Sequence, residues 1–271
     1  WMASGLRKRN PALLAGVMSN NASYFPLSAT SPYSVIEADE FDRSFHHLTP
    51  LRTVITAVDA DHLDIYGTYE AYVESFRKYT SLIKPGGDLI LHVGLADKVK
   101  PQLQKGVNLY TYGLDEGNFH AANIRIGNGE LRFDYVSPLG SIADVELGVP
   151  IPINVENAVA AMAMAQMSGA PDDVIRERIG SFRGCDRRFD FHVKKADRVY
   201  LSDYAHHPEE IRQCALSLRK LYADRKITCI FQPHLYTRTR DFYNEFADSL
   251  SLFDEVWLLG VYPARRQPLP G

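Results

Sequence analysis

The sequence predicts an α/β fold built on a mostly parallel sheet and followed by a second α/β domain. Short apolar runs rich in β-branched residues alternate along the chain with longer segments whose apolar residues recur at helical spacing, an order typical of parallel strands joined by helices. The chain has 271 residues, which is enough for two domains of ordinary size, and its 45% hydrophobic content is that of a globular protein.

Composition and charge exclude several classes of function. The formal net charge of −3 predicts neither nucleic acid nor a membrane surface as a partner. The sequence contains no run of about eighteen apolar residues and no signal-peptide pattern, so we expect no membrane span. Cys185, Cys214 and Cys229 lack C-x-x-C spacing and fit reduced thiols, which predicts a cytoplasmic protein.

Strands and helices alternate in the first half of the chain. A helix fragment at 1–8 has no N-cap, so we expect the chain to be part of a longer product. Further elements follow in this order: strands at 33–38 and 53–58, a helix at 69–84, a strand at 88–93, a helix at 95–104, a strand at 107–112, and an antiparallel hairpin within 120–149. The step Asn128-Gly129 predicts the turn of that hairpin.

The strands at 33–38 and 53–58 each end in a burst of acidic residues. Because parallel strands carry ligands at their carboxyl ends, we expect both bursts on one rim of one sheet. Carboxylates with one imidazole are ligands that suit Mg²⁺ or Mn²⁺, so one interpretation of these residues is a metal site. The alternative interpretation is that they are solvated loop acids and helix caps. The candidate ligands are Glu37, Asp39, Glu40, Asp42, Asp59, Asp61, His62 and Asp64.

An Ala- and Met-rich helix is predicted at 154–167, and most of its positions fit a plain buried helix. Asn154 fits a helix cap. Asn157 lies one turn further on, where Asn is a poor helix former, so we expect it to have a polar partner. A second helix at 171–182 begins with a proline in its first turn.

Two polar segments of the second domain are candidates for ligand contact. Arg187 and Arg188 lie in a loop at 184–190, where they form either a solvated surface or an anion clamp. His206 and His207 precede a helix, where they contact an anion or substrate, or else serve capping and packing. The elements predicted here are a hairpin at 191–201, a helix at 209–222, a strand at 226–231, a polar segment at 232–241, a helix ending at 252 and a strand at 253–259.

Six motifs in this order give the chain its resemblance to a known family. They read E-A-D-E-F-D-R-S-F, D-A-D-H-L-D-I-Y, N-V-E-N-A, G-C-D-R-R-F-D, D-Y-A-H-H-P and Q-P-H-L-Y-T-R-T-R-D, and together they resemble the Mur ligases. The resemblance implies a central ATPase-type domain with a mostly parallel sheet at 1–183 and a Rossmann-like, incomplete α/β domain at 184–271. It also implies ATP-dependent amide-bond synthesis in peptidoglycan precursor assembly, with UDP-N-acetylmuramate and L-alanine as the substrates that the wording of the motifs favours.

The resemblance also implies roles for individual residues. Glu37 and His62 match the Mg²⁺ ligands of the family, and Asn157, with Asn154, matches adenine contacts. Arg188 matches the arginine that reaches the ATP phosphates, and Asp203 a residue that holds the ribose. Three further residues match positions around the amino acid and the acyl phosphate: His206, His234 and Arg238.

The chain departs from the family pattern at three places. The phosphate loop G-x-x-G-K-T-T and the domain that binds the UDP sugar are absent, since Trp1 falls immediately after that loop by the resemblance, and the chain stops within the last domain. The usual P-G-x-H-N reads Pro150-Ile151-Pro152-Ile153-Asn154, so a histidine contact to adenine is lost. Leu235 stands where an arginine is often found, which leaves Arg238 and Arg240 to supply the charge.

Two alternatives to the L-alanine ligase stay open. One is a ligase that attaches a recycled peptide to the same sugar nucleotide. The other is a non-catalytic nucleotide-binding module, which the missing phosphate loop favours. The oligomeric state is not predicted.

Overall fold

A computed structural model of the chain describes residues 12–14, 33–59, 63–185 and 187–263. The chain divides into two compact units. The first comprises Trp1–Arg125, Arg132–Gly148 and Pro152–Phe182, and the second comprises Ile126–Leu131, Val149–Ile151 and Arg183–Gly271. The helix predicted at 1–8 lies outside the described residues.

A three-stranded parallel sheet forms the centre of the first unit, which confirms the α/β prediction. Its strands are β3 (Arg52–Ile55), β4 (Asp88–His92) and β5 (Asn108–Tyr112), in the order β3-β4-β5. Leu89, Ile90 and Leu91 of the central strand are fully buried, because a parallel strand in the middle of a sheet is covered on both faces.

The two acid-bearing strands do not share a sheet in the described structure, which corrects the prediction of one common rim. Strand β2 (Ser34–Ile36) pairs in parallel with β1 (Ala12–Leu14) in a separate two-stranded sheet, whereas β3 pairs with β4. All three residues of β2 are exposed. An apolar strand need not be buried, and apolar character alone therefore did not identify its partner.

Helices cover this sheet. After a 3₁₀ segment at Phe41–His47 and a short helix α1 (Leu63–Tyr66), helix α2 (Tyr69–Thr80) begins at Thr68, whose Oγ1 accepts the Ala71 N–H at 3.2 Å. Its inner face packs in a core that includes Phe45, Phe76 and Tyr79, with the Phe45 and Tyr79 rings stacked at 4.6 Å.

The predicted helix at 95–104 is much shorter. A 3₁₀ turn (Val93–Leu95) leads into α3 (Ala96–Val99), which ends at Lys100 with φ of 45°. The next residue is Pro101, and a residue that precedes proline is disfavoured in the helical conformation, so the helix stops there.

The predicted antiparallel hairpin is confirmed and extended by a third strand. Strands β6 (His120–Gly127), β7 (Glu130–Val136) and β8 (Ile142–Glu146) form a sheet in that order. Asn128 and Gly129 both have positive φ at the turn, as the Asn-Gly step predicts. Helices α4 (Ile153–Met167) and α5 (Asp172–Ser181) complete the first unit.

The second unit contains two small sheets and three helices in its described part. Strands β9 (Asp190–Lys194) and β10 (Val199–Ser202) are antiparallel, and β11 (Thr228–Phe231) and β12 (Glu255–Leu258) are parallel. Helix α6 (Pro208–Leu221) follows β10. The polar segment predicted at 232–241 contains a short helix, α7 (Tyr236–Asp241), and the helix predicted to end at 252 is α8 (Tyr243–Leu250). The two are separated at Phe242, where the backbone leaves helical geometry with φ of −118°. The core of this unit is formed by Ile211, Phe231, Phe246 and Leu250.

Across the described residues of both units, we find no helix that is both long and apolar enough to cross a membrane.

Candidate functional site

Three loops of the second unit carry four of the nine predicted site residues. The first joins α5 to β9 and holds Arg188, the second joins β10 to α6 and holds Asp203 and His206, and the third follows β11 and holds His234. Because β11 is parallel to β12, the third loop lies at a carboxyl edge of the sheet, where α/β folds bind ligands.

Asp203 fastens the first loop to the second. Its Oδ2 accepts the N–H of Phe189 at 2.8 Å, and its Oδ1 accepts the N–H of Ala205 at 2.8 Å. The Tyr204 N–H also donates to the Arg187 carbonyl at 2.6 Å. Asp203 is thus a loop-fastening residue as well as the predicted ribose contact, and both of its oxygens are already engaged by backbone donors.

Arg188 is exposed between two residues with left-handed backbone. Arg187 has φ of 60° and Phe189 has φ of 49°, conformations that cost a non-glycine residue about 1–3 kcal/mol each. The burial of Phe189 and the Asp203 hydrogen bond hold this turn in place. The turn presents the Arg188 side chain to solvent, where an anionic ligand can reach it.

Glu210 organises the histidine loop, and the sequence reasoning missed it. Its Oε2 accepts the backbone N–H of His206 at 2.8 Å and of His207 at 3.1 Å, and lies 3.5 Å from the His206 Nδ1. Partial burial opposes ionisation, but the two N–H donors and the adjacent histidines outweigh it, so the pKa of Glu210 lies below its ordinary value. An acid three residues after a helix N-cap is the capping pattern that could have found it.

The two predicted imidazoles lie near one another. The ring centroids of His206 and His234 are 6.4 Å apart in an edge-to-face arrangement. His206 Nδ1 is within 2.9 Å of the Tyr204 carbonyl, and the His234 ring stacks on Tyr262 at 5.6 Å. The backbone of the third loop is tied to the same tyrosine, since the Leu235 N–H donates to the Tyr262 carbonyl at 3.0 Å.

Arg238 has a buried donor with no partner among the described residues. Its Nη1 is out of contact with solvent and makes no hydrogen bond in the described part of the chain. A buried guanidinium nitrogen without an acceptor is costly, because the desolvation of a charged group is not offset. An anionic ligand such as a carboxylate or phosphate would supply that acceptor.

The predicted adenine contacts lie in the first turn of α4 in the first unit. The Asn157 Nδ2 donates to the Asn154 Oδ1 at 3.3 Å, so the structure brings the two amides together on one helix face. Asn157 is exposed. Its side-chain amide can therefore reach the edge of a planar base.

The predicted metal pair is only half described. Glu37 is exposed just after β2, whereas His62 lies outside the described residues. Within the described ranges no three His, Cys, Asp or Glu side chains come close enough to hold a metal ion. Asp39 Oδ1 instead accepts the Phe41 N–H at 3.0 Å, which is the capping alternative, so the described residues do not form a Mg²⁺ site by themselves.

Comparisons with known proteins identify the family. The Mur ligase middle domain matches residues 21–165, and the Mur ligase glutamate ligase domain matches residues 187–269. A UDP-N-acetylmuramate–L-alanine ligase of Phocaeicola vulgatus is 65% identical over 260 residues, which cover 96% of this chain and 56% of that protein. One of Parabacteroides distasonis is 55% identical, covering 100% of this chain and 59% of its own length.

A solved structure agrees with these matches. The UDP-N-acetylmuramate-alanine ligase MurC from Thermotoga maritima superposes with a TM-score of 0.76 at 25% identity, covering 96% of this chain and 58% of that one. The chain therefore spans a little over half the length of the relatives it matches. By these matches, the chain belongs to the Mur ligase family.

Proposed function

We propose that this chain provides the ATP-binding and amino-acid-binding parts of a ligase that joins L-alanine to UDP-N-acetylmuramate in peptidoglycan precursor biosynthesis. The names of the two relatives quoted above support the choice of substrates. The observation that carries the proposal is the buried Nη1 of Arg238, which has no hydrogen-bond partner among the described residues. Arg238 lies on α7, the helix that follows His234, and an anionic ligand would supply the missing acceptor. We assign ATP binding to residues 1–183 and amino-acid binding to residues 184–271.

The proposed reaction has two steps. The muramoyl carboxylate attacks the γ-phosphorus of ATP, which forms an acyl phosphate and releases ADP. The amino group of L-alanine then attacks the acyl carbon, and inorganic phosphate leaves from the tetrahedral intermediate as the amide forms. Both steps build up negative charge on oxygen, so they need cationic and hydrogen-bonding groups fixed in advance.

The residues of the second unit are suited to this task. We assign the Arg238 guanidinium, whose Nη1 is buried, to the L-alanine carboxylate. We assign His206 and His234, whose rings are 6.4 Å apart, to hydrogen bonds with the acyl phosphate. Arg188, which is exposed at its strained turn, is assigned to contact with the ATP phosphates. Asp203 fixes that turn, and each of its carboxylate oxygens retains a lone pair for a ribose hydroxyl.

The residues of the first unit are assigned to the nucleotide and the metal. Asn154 and Asn157 contact the adenine. Mg²⁺, held by Glu37 and His62, would neutralise charge on the transferring phosphoryl group. Of these two residues, the described part of the chain includes only Glu37.

The test compares two arginines on one helix. Arg238→Ala should raise the KM for L-alanine by about tenfold or more, the range for losing a charge-assisted hydrogen-bonded pair. Arg240, from which the sequence analysis also expected charge, is the matched control. Because it is exposed and already pairs with Asp241 at 2.7 Å, Arg240→Ala should leave that KM unchanged within about twofold.

Both readouts come from phosphate release by a full-length ligase that contains this chain, assayed with ATP, UDP-N-acetylmuramate and either L-alanine or a tripeptide. Release with L-alanine alone is the expected result. Release with the tripeptide and not with L-alanine would favour the peptide ligase, and release with neither would favour a non-catalytic module.

A further inference from the structure

The turn that carries Arg188 has a second anchor besides Asp203. The Arg188 N–H donates to the Cys185 carbonyl at 3.1 Å, which closes the turn. Within the turn, the Arg187 N–H donates to Oδ2 of Asp190 at 3.3 Å. Asp190 is the first residue of β9, whereas Asp203 directly follows β10. The turn is therefore tied by carboxylates to both strands of this hairpin.

Strand β9 contains a β-bulge at His192. Successive residues of β10 pair with Val193 and Phe191, so the ladder skips His192 and leaves it as an extra residue. A bulge re-aims the side chain of the extra residue, and bulges are common next to functional sites. The direction in which the His192 ring points is therefore a specific feature of this hairpin.

The His192 ring contacts the second anchor. Its Nε2 lies 2.9 Å from Oγ of Ser202, at hydrogen-bond distance, and 3.8 Å from Oδ2 of Asp190. Ser202 is the partner of Asp190 in the ladder. The Asp190 side chain is only 16% exposed, whereas that of His192 is 46% exposed. The hydrogen bond to Ser202 keeps the ring beside the carboxylate, so His192 restricts where Oδ2 of Asp190 can lie.

We propose that Asp190 and His192 are positioning residues that hold Arg188 for contact with the ATP phosphates. Asp190 fixes the backbone of the turn, and His192 fixes Asp190. The turn needs such anchors, because Arg187 has φ of 60°, a conformation that a non-glycine residue keeps only when its surroundings hold it. The proposal rests on the assignment of Arg188 to the ATP phosphates under the proposed function.

The test is a double-mutant cycle on the KM for ATP, measured by phosphate release from a full-length ligase that contains this chain. Asp190→Ala should raise that KM by about tenfold, and Asp190→Asn should restore most of it, because the amide oxygen still accepts the Arg187 N–H. In an Arg188→Ala background, Asp190→Ala should change the KM by less than about twofold, since no arginine is left to position. A purely structural role of Asp190 would give the same increase in both backgrounds.

Two variants of His192 test the second link. His192→Ala should raise the KM for ATP by about threefold, and His192→Gln should restore it, because the amide N–H of glutamine can bond to the Ser202 hydroxyl. Asp197→Ala is the matched control. It removes a carboxylate that is 71% exposed between the same two strands, so it should leave the KM for ATP unchanged.

Thermal unfolding reports which variants are folded. If Asp190→Ala does not fold, His192→Ala carries the same cycle, because its side chain is the more exposed of the two. An unchanged KM for ATP in folded Asp190→Ala or in His192→Ala, or an equal increase with and without Arg188, would overturn this inference alone. An unchanged KM for ATP in Arg188→Ala would overturn it together with the assignment of Arg188 in the proposed function.

Discussion

The Asp203 carboxylate offers the most direct test of how the second unit holds its loops. It accepts two backbone N–H groups, from Phe189 and Ala205, both at 2.8 Å. Asp203→Ala removes both acceptors. A hydrogen bond to a charged group contributes about 1.5–3 kcal/mol. Because Asp203 is exposed, we expect each of its two hydrogen bonds to contribute at or below the lower end of this range. Relief of backbone strain at Phe189 offsets part of the loss, so we expect a net local destabilisation of about 2 kcal/mol.

Amide hydrogen exchange measures this quantity at the residues concerned. A loss of about 2 kcal/mol corresponds to exchange about thirtyfold faster at the Phe189 and Ala205 amides. Asp197→Ala is the matched control, because Asp197 is 71% exposed and its carboxylate lies 3.8 Å from the guanidinium of its neighbour Arg198. Unchanged protection of both amides in Asp203→Ala would refute the fastening role and leave Asp203 as a ligand contact alone.

Two further predictions concern fold stability. Asp88 is 5% exposed and accepts hydrogen bonds from Arg52 Nε at 2.9 Å and from Asn108 Nδ2 at 3.0 Å. Asp88→Ala should lower the free energy of unfolding, measured by urea denaturation, by about 3 kcal/mol, because it leaves the partly buried charge of Arg52 without its partner. Glu210→Gln should destabilise the protein at neutral pH, and since the folded-state pKa of Glu210 is lowered, the difference from wild type should be full above about pH 5 and shrink as the pH falls through that lowered value. A stability difference that does not change between neutral and strongly acidic pH would contradict the second prediction.

Some of the fold follows directly from local sequence. The apolar residues Leu89, Ile90 and Leu91 predicted a strand at 88–93, and the step Asn128-Gly129 predicted the turn between β6 and β7. Each of these signals is contained within a few neighbouring residues. The errors came from the same local reasoning. Pro101 ends a helix early, and the exposed strand β2 pairs with β1 instead of β3, because strand pairing is decided by long-range contacts that a single segment does not encode.

In the candidate site, too, local sequence signals predicted some features, whereas contacts between distant segments were not predicted. Motif resemblance placed His206 and His234 near the amino acid, and their rings are 6.4 Å apart. The sequence analysis did not predict the side chains that hold these two rings in place. Tyr262 stacks on His234 from 28 positions further along the chain, and nothing in either local segment indicates this pairing. Glu210, four residues after His206, was within reach of a capping argument.

Backbone strain in the second unit links these observations. Within the described part of 183–263, three non-glycine residues have left-handed φ: Arg187 at 60°, Phe189 at 49° and Leu235 at 70°. Arg187 and Phe189 flank Arg188, and Leu235 immediately follows His234, so each strained residue adjoins a proposed ligand contact. Leu235 is γ-branched and its side chain has no polar group that could stabilise this conformation. Two hydrogen bonds of its backbone hold it instead. The Leu235 N–H donates to the Tyr262 carbonyl, and the Leu235 carbonyl accepts from the Thr239 hydroxyl at 2.8 Å. A glycine would adopt this φ without strain but would also free the loop to move. The leucine therefore keeps the His234 loop in one conformation, as the proposed charge-stabilising role of this site requires.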